Sequence, residues 1–183
     1  MKYIKKFEKT YSNELFFAVE CDDIALIEVL IYSGADINCT NYINNTPLIA
    51  AAYNNKIEIV KLLIEAGADL NIQNNDGHTA LIFASIFGYI ELVKLLIDAG
   101  ANLNIHNIHH QQRDTALTVA AYRQNIEVIK LLIKAGADWN FKNDENKYFL
   151  DYLDDKDKNE IEKLDPEKYN EYLMKKNAEK YNL

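Results

Sequence analysis

Apolar residues fall in short blocks at helical spacing, separated by polar stretches rich in turn formers. Ile57, Val60, Leu63 and Ile64 share one face of a helix that the spacing predicts from about Ile57 to Glu65. Gly67 stops it in a left-handed C-cap position. Upstream, Pro47 stands where a first-turn residue has no needed N–H to lose, and Thr46 before it is an N-cap residue. These signals predict a second short helix from roughly Pro47 to Tyr53. Its Ala50, Ala51 and Ala52 are small enough to let another helix approach closely. Asn54 and Asn55 form the turn between the two, because asparagine tolerates left-handed backbone. Residues 69–76 then read as an extended turn or hairpin leading onward.

The same pattern returns along the chain. Gly-Ala-(Asp/Asn)-x-Asn begins at Gly34, Gly67, Gly100 and Gly136, with steps of 33, 33 and 36 residues. Thr46-Pro47-Leu48, Thr79-Ala80-Leu81 and Thr115-Ala116-Leu117 keep the same phase, as do the apolar blocks opening at Ile57, Ile90 and Ile126. A two-helix unit of this size cannot bury its apolar face alone, so the units are expected to stack into a solenoid.

Thr46-Pro47-Leu48-x-Ala50-Ala51, Glu58-x-Val60-Lys61-Leu62-Leu63 and Gly67-Ala68-Asp69-x-Asn71 closely resemble the ankyrin repeat, and Asp76-Gly77-x-Thr79-Ala80-Leu81 adds to the likeness. The resemblance covers residues 13–142 well and runs more loosely to about residue 164. It implies an all-α solenoid of stacked helix-turn-helix units with hairpin or β-turn fingers. The units read as 13–40, 41–73, 74–106 and 107–142, with a degenerate capping unit at 143–165. A basic extension (1–12) precedes them and a helical tail (166–183) follows. Departures from the family pattern are specific. The histidine usual after Thr-Pro-Leu is Ile49, Ile82 and Thr118, which shifts weight onto apolar packing. Asp22, Asn55 and Gln124 replace the inter-helix glycine. Gln124 is the least suited of these, and Asn125 beside it is the residue able to take the unusual dihedrals. In the capping unit, Lys147 to Asp151 sits in phase with Thr-Pro-Leu, and a short charged second helix is expected at about 158–164. Pro166 opens one more helix carrying Tyr169, Tyr172, Leu173 and Tyr181.

Net charge is −8 over 183 residues. Residues 11–142 carry 15 acidic and 8 basic side chains, the wrong balance for a phosphate-tracking groove or an anionic membrane. Residues 143–183 hold 12 acidic and 8 basic side chains and read as a solvated cap and tail, while the four lysines of the extension read as a solvated stretch. No block approaches the roughly 20 apolar residues of a bilayer span. Two cysteines, Cys21 and Cys39, make no disulfide framework, so a reducing, cytoplasmic setting is expected. Ser12, Ser33 and Ser85 lack a nucleophile-elbow context. Glu58, Glu91 and Glu127 recur at one phase, the mark of scaffold, so no enzymatic activity and no cofactor are expected.

His106, His109 and His110 crowd the finger that holds the three extra residues of the 36-residue step. A zinc or nickel site needs three or four placed ligands, and no cysteine or glutamate neighbours this cluster. It reads as a polar fingertip, with a metal- or small-ligand-binding regulator as the alternative function.

The resemblance implies a protein-interaction module that binds through the concave flank of the first helices and through the fingertips. Seven and eight positions after each threonine, the concave stripe reads Tyr53-Asn54, Ile86-Phe87 and Tyr122-Arg123. The fingers offer Tyr42, Ile43 and Asn45, then Asn75, Asp76 and His78, then His109, His110, Arg113 and Asp114. Aromatic residues and arginine are the types enriched at interface hot spots. The acidic surround suits a partner protein with a basic patch, and a freestanding acidic chain suits an inhibitor or immunity-like role. Asn38, Asn71, Asn104 and Asn140 occupy the position that asparaginyl hydroxylases target in ankyrin repeats, although asparagine there is read mainly as a turn-tying residue.

Overall fold

The computed structural model describes residue 11, residues 13–107 and residues 113–181. Helical segments alternate with tight turns: α1 (residues 13–20), α2 (Ile24–Tyr32), α3 (Pro47–Tyr53), α4 (Ile57–Glu65), α5 (Ala80–Phe87), α6 (Ile90–Asp98), α7 (Ala116–Tyr122) and α8 (Ile126–Lys134). A 3-10 turn (Phe149–Tyr152), α9 (Asp155–Leu164) and α10 (Pro166–Tyr181) complete the row. Thr46, Thr79 and Thr115 each cap a first helix, their hydroxyls accepting from the amides of Ile49, Ile82 and Thr118. Gly67, Gly100 and Gly136 close second helices at φ near +90°. α9 starts ahead of the expected residue 158 because Asp154 caps it, accepting from the Asp157 amide at 2.8 Å.

The units stack through their first helices. Ala51, Ala52, Ala84, Ala120 and Ala121 are fully buried where α3, α5 and α7 meet, and their small side chains let these helices approach closely. Second helices touch one another less than first helices do, so the row bends with the first helices on its inner side. Ile49 and Ile82 are buried, and Thr118 answers the missing histidine differently, its hydroxyl donating to the Thr115 carbonyl at 3.0 Å.

Side chains of one unit bond to the backbone of the next. Asn38, Asn71 and Asn104 accept through Oδ1 from the amides of Asp69, Asn102 and Asp138, at 2.8–2.9 Å. The position before α4 and the position before α8 reach the other way. Lys56 Nζ donates to the carbonyls of Val19 and Glu20 and pairs with Asp22 at 2.8 Å, and Asn125 Nδ2 donates to the Ser85 carbonyl at 2.9 Å. Asn125 has φ −84°, and Gln124 itself takes the left-handed backbone at φ +60°. Its strain is offset by Nε2, which donates to the Ala121 and Tyr152 carbonyls. Gly88 takes φ +71°, and a Cβ there would lie 2.7 Å from Asn125 Oδ1, so that side chain would have to shift from its bond to the Ser85 carbonyl.

The C-terminal helix closes the stack. Tyr169 and Tyr172 of α10 are buried, and Tyr172 meets Tyr148 edge-on at 5.4 Å. Asp151 anchors the contact, accepting from the Tyr172 hydroxyl at 2.9 Å, from Lys176 Nζ at 2.7 Å and from the Tyr148 amide at 3.0 Å. Burial alone would raise this carboxyl, but these three donors hold it below the ordinary aspartate value. Lys142 pairs with Glu179, and Lys130 joins α8 to α9 through Glu160 at 2.7 Å.

Two substitutions test this packing. Ser85 is fully buried at the phase of Ala52 and Ala121, and its hydroxyl has no hydrogen-bond partner among the described residues. Ser85→Ala is expected to raise stability by about 1 kcal/mol, read as a higher urea midpoint at unchanged slope, because it removes an unsatisfied buried hydroxyl. A lower midpoint would show that the hydroxyl is satisfied. Asp151→Asn is expected to cost about 1.5 kcal/mol at neutral pH, the value of a hydrogen bond to a charged group. Because the folded carboxyl titrates below its unfolded value of about 3.9, its contribution is present above that value and lost as pH falls through the folded one. The gap between wild type and variant should therefore close in acid, and a gap independent of pH would exclude the charge as its source.

Candidate interaction surface

The first helices set their late residues on the inner flank because positions three and four apart share a helix face. Four positions after the unit's opening residue stand Phe17, Ala50, Phe83, Val119 and Tyr152, and seven positions after it stand Glu20, Tyr53, Ile86 and Tyr122. The stack lays the later position of one unit over the earlier position of the next. Tyr53 meets Phe83 edge-on at 5.2 Å, and Tyr122 meets Tyr152 edge-on at 5.7 Å.

Two aromatic groups result. In the first, Tyr53 also touches Phe87 at 5.3 Å, Phe83 stacks on Phe87 at 6.4 Å, and Phe87 stacks on Tyr89 at 5.4 Å. Tyr53 and Phe87 keep their outer faces exposed, while Ile86 packs against the core. In the second, the Arg123 guanidinium lies 5.7 Å from the centre of the exposed Tyr122 ring, and Lys147 Nζ lies 5.1 Å from that of Tyr152. Asn54 between them is a capping residue, its Nδ2 donating to the Ala50 carbonyl at 3.0 Å. Phe83, Tyr89 and Tyr152 belong to the surface and were not among the expected residues. The repeat phase held the signal, since Phe83 and Phe87 are one helical turn apart.

The fingers are stitched to one another. Each begins with an asparagine whose Oδ1 accepts from its own loop: Asn41 from Ile43 and Asn45, Asn74 from Asp76 and His78, Asn143 from Glu145 and Lys147. Asn107 does the same for the Asp114 amide across the longer finger. Their Nδ2 groups cross to the neighbouring finger, Asn74 to Asn45 Oδ1 at 2.9 Å and Asn143 to Asp114 Oδ1 at 3.0 Å. Asn75 accepts from Asn44 Nδ2 at 2.7 Å and donates its amide to the Ile43 carbonyl. Arg113 pairs with Asp144 at 3.0 Å. Asn45, Asn75, Arg113 and Asp114 are therefore engaged within the protein, and His78 lies against Phe83 at 4.8 Å. Tyr42 stands out into solvent with Ile43 beside it. His109 and His110 lie outside the described residues. His106 stacks on Phe141 at 5.8 Å, and among the described residues no group of three or more His, Cys, Asp or Glu is placed to hold a metal.

A family model for ankyrin repeats in three copies matches residues 15–107, and one for ankyrin repeats in many copies matches residues 83–133. No curated protein matches the chain. Among the described residues no helix is long and apolar enough to cross a membrane.

Burial raises the Asp114 carboxyl above its ordinary value, with Glu145 and Asp144 adding to the effect and the bonds from Asn143 and Thr118 opposing it. A folded value above the unfolded one makes Asp114 lose stability for the protein as pH rises through it. Asp114→Asn keeps an oxygen for Asn143 and is expected to equal or exceed wild type at neutral pH, by less than about 1 kcal/mol, and to fall behind in acid. Thermal midpoints across the acid range test this, and a variant markedly weaker at neutral pH would mean the charge is needed.

Proposed function

The chain belongs to the ankyrin repeat family, and on that premise we propose that it is a non-catalytic interaction module that grips a partner protein along the inner flank of its first helices. Ankyrin repeats generally mediate protein–protein interaction. One observation carries the reading to these residues: Tyr53, Phe87, Tyr122 and Arg123 keep faces open to solvent that the stack does not use. Rigid aromatic rings bury much area at little entropy cost, and arginine is enriched at interface hot spots. The finger side chains supply rigidity, because most are already bonded across fingers, with Tyr42 and Ile43 left to add contacts from the side. The net charge of −8 favours a basic partner through the association rate. Occlusion of a partner enzyme, in a cytoplasmic setting and without nucleic acid or membrane, is the version of this role that suits an acidic module.

Each anchor should contribute about 1–3 kcal/mol on truncation. Affinity capture from native lysate with wild type and with Tyr53→Ala/Tyr122→Ala tests the surface. The double variant is expected to fold, because Tyr53 and Tyr122 are 49% and 65% exposed, and to lose proteins that the wild type retains. Equal recovery by a folded double variant would place the binding surface elsewhere.

A further inference from the structure

The first helices carry few charges. Glu20 ends α1, and α3, α5 and α7 have no charged residue until Arg123 at the C-cap of α7. Glu20 and Arg123 are exposed, and among the described residues neither is joined to an opposite charge. The ionic groups near them are already matched. Lys56, which donates to the Glu20 carbonyl, pairs with Asp22 at 2.8 Å, and Lys147 pairs with Glu145 at 2.7 Å. Along this flank each of the first four units sets out one exposed ring: Phe17, Tyr53, Phe87 and Tyr122. They stand four, seven or eight positions after their unit's opening residue, phases that share one helix face. The flank is thus a neutral aromatic strip with a carboxylate at one end and a guanidinium at the other.

We infer that the strip takes one amphipathic α-helix of a partner protein, with its first turn at Arg123 and its last turn at Glu20. This rests on the interaction role proposed above and adds the form and direction of the occupant. Packed helices lie about 10 Å apart, so the rings recur at about that step and the strip runs about 30 Å from the first unit to the fourth. Seven helical residues rise about 10.5 Å, so apolar residues at a seven-residue spacing meet one ring per unit, and about 20 residues cover the strip. A strand returns to one face about every 6.7 Å and falls out of step. The strip also offers an occupant rings rather than hydrogen-bonding groups. An α-helix satisfies its own backbone there, which a strand or a polyproline segment does not. Direction follows from charge. A helix is most stable with carboxylates in its first turn and cations in its last. Such a helix complements the strip one way only, and the reverse sets like charges together at both ends.

Synthetic 20-residue peptides, stapled to equal helicity and followed by fluorescence anisotropy at low salt, test this. Both carry leucine at seven-residue spacing among alanines. One has glutamate in its first turn and lysine in its last, and the other has the reverse. Wild type is expected to bind the acid-first peptide about tenfold more tightly, by a margin that shrinks as salt rises. Glu20→Lys/Arg123→Glu, at two exposed positions, should prefer the other peptide, and Tyr53→Ala/Tyr122→Ala should bind neither. Equal affinities in wild type, or a preference that the double charge exchange does not reverse, overturn the proposal. So does undiminished binding by Tyr53→Ala/Tyr122→Ala, or by wild type to an unstapled acid-first peptide broken by two central prolines. Failure of both peptides to bind also overturns the helical occupant, while the interaction role itself stands or falls on the separate lysate capture.

Discussion

The close approach of successive first helices is the constraint on which this structure rests. Ala51, Ala52, Ala84, Ala120 and Ala121 have no exposed surface, so bulk added among them would crowd closely packed neighbours. That spacing brings Lys56 within reach of the carbonyls of Val19 and Glu20 and Asn125 within reach of Ser85. It also sets the aromatic residue of one unit over the ring of the next. The proposed interaction surface is thus a by-product of the stack's register: the packing that buries the alanines lines up Tyr53 over Phe83 and Tyr122 over Tyr152.

The asparagines divide the polar work by position. Those that open the fingers fold their own loop through Oδ1 and tie the neighbouring finger through Nδ2. Those that follow the helix-closing glycines accept from the next unit's backbone. These bonds join segments about one repeat apart, so the stability of each unit is coupled to its neighbour's. The same engagement bears on modification of Asn38, Asn71 or Asn104. Each side chain would have to leave an inter-unit bond to enter another protein's active site.

Much of this fold was legible in the sequence because its signals are local. Thr46, Pro47 and Gly67 bound their helices at the expected residues, since a cap or a left-handed stop acts within a turn of itself. The shortfalls involve partners far along the chain. Gln124 takes the left-handed backbone that asparagine suits better because Tyr152, 28 residues on, accepts from its side chain, and this leaves Asn125 to brace the preceding unit. The helix opening at Pro166 was legible, but the acidic composition of residues 143–183 suggested a solvated tail and concealed its docking, because Tyr169, Tyr172 and Asp151 are three residues among many charges. The aromatic stripe was half visible: Tyr53 and Tyr122 share a phase, but Phe83 and Tyr152 enter only when one unit is laid over the next.

The two described ends of the row differ in chemistry. At the C-terminal end, a carboxylate held low by Lys176 and two further donors fixes an aromatic helix over the last unit. Hydrogen-bond geometry specifies that contact, so its orientation is unique. At the N-terminal end, α2 leaves Val29 and Tyr32 exposed beside the one carboxylate of Glu28. The inner flank lies between these extremes. Its rings are held by edge-to-face contacts within the stack, so their positions are set before a partner arrives, and binding need not order them.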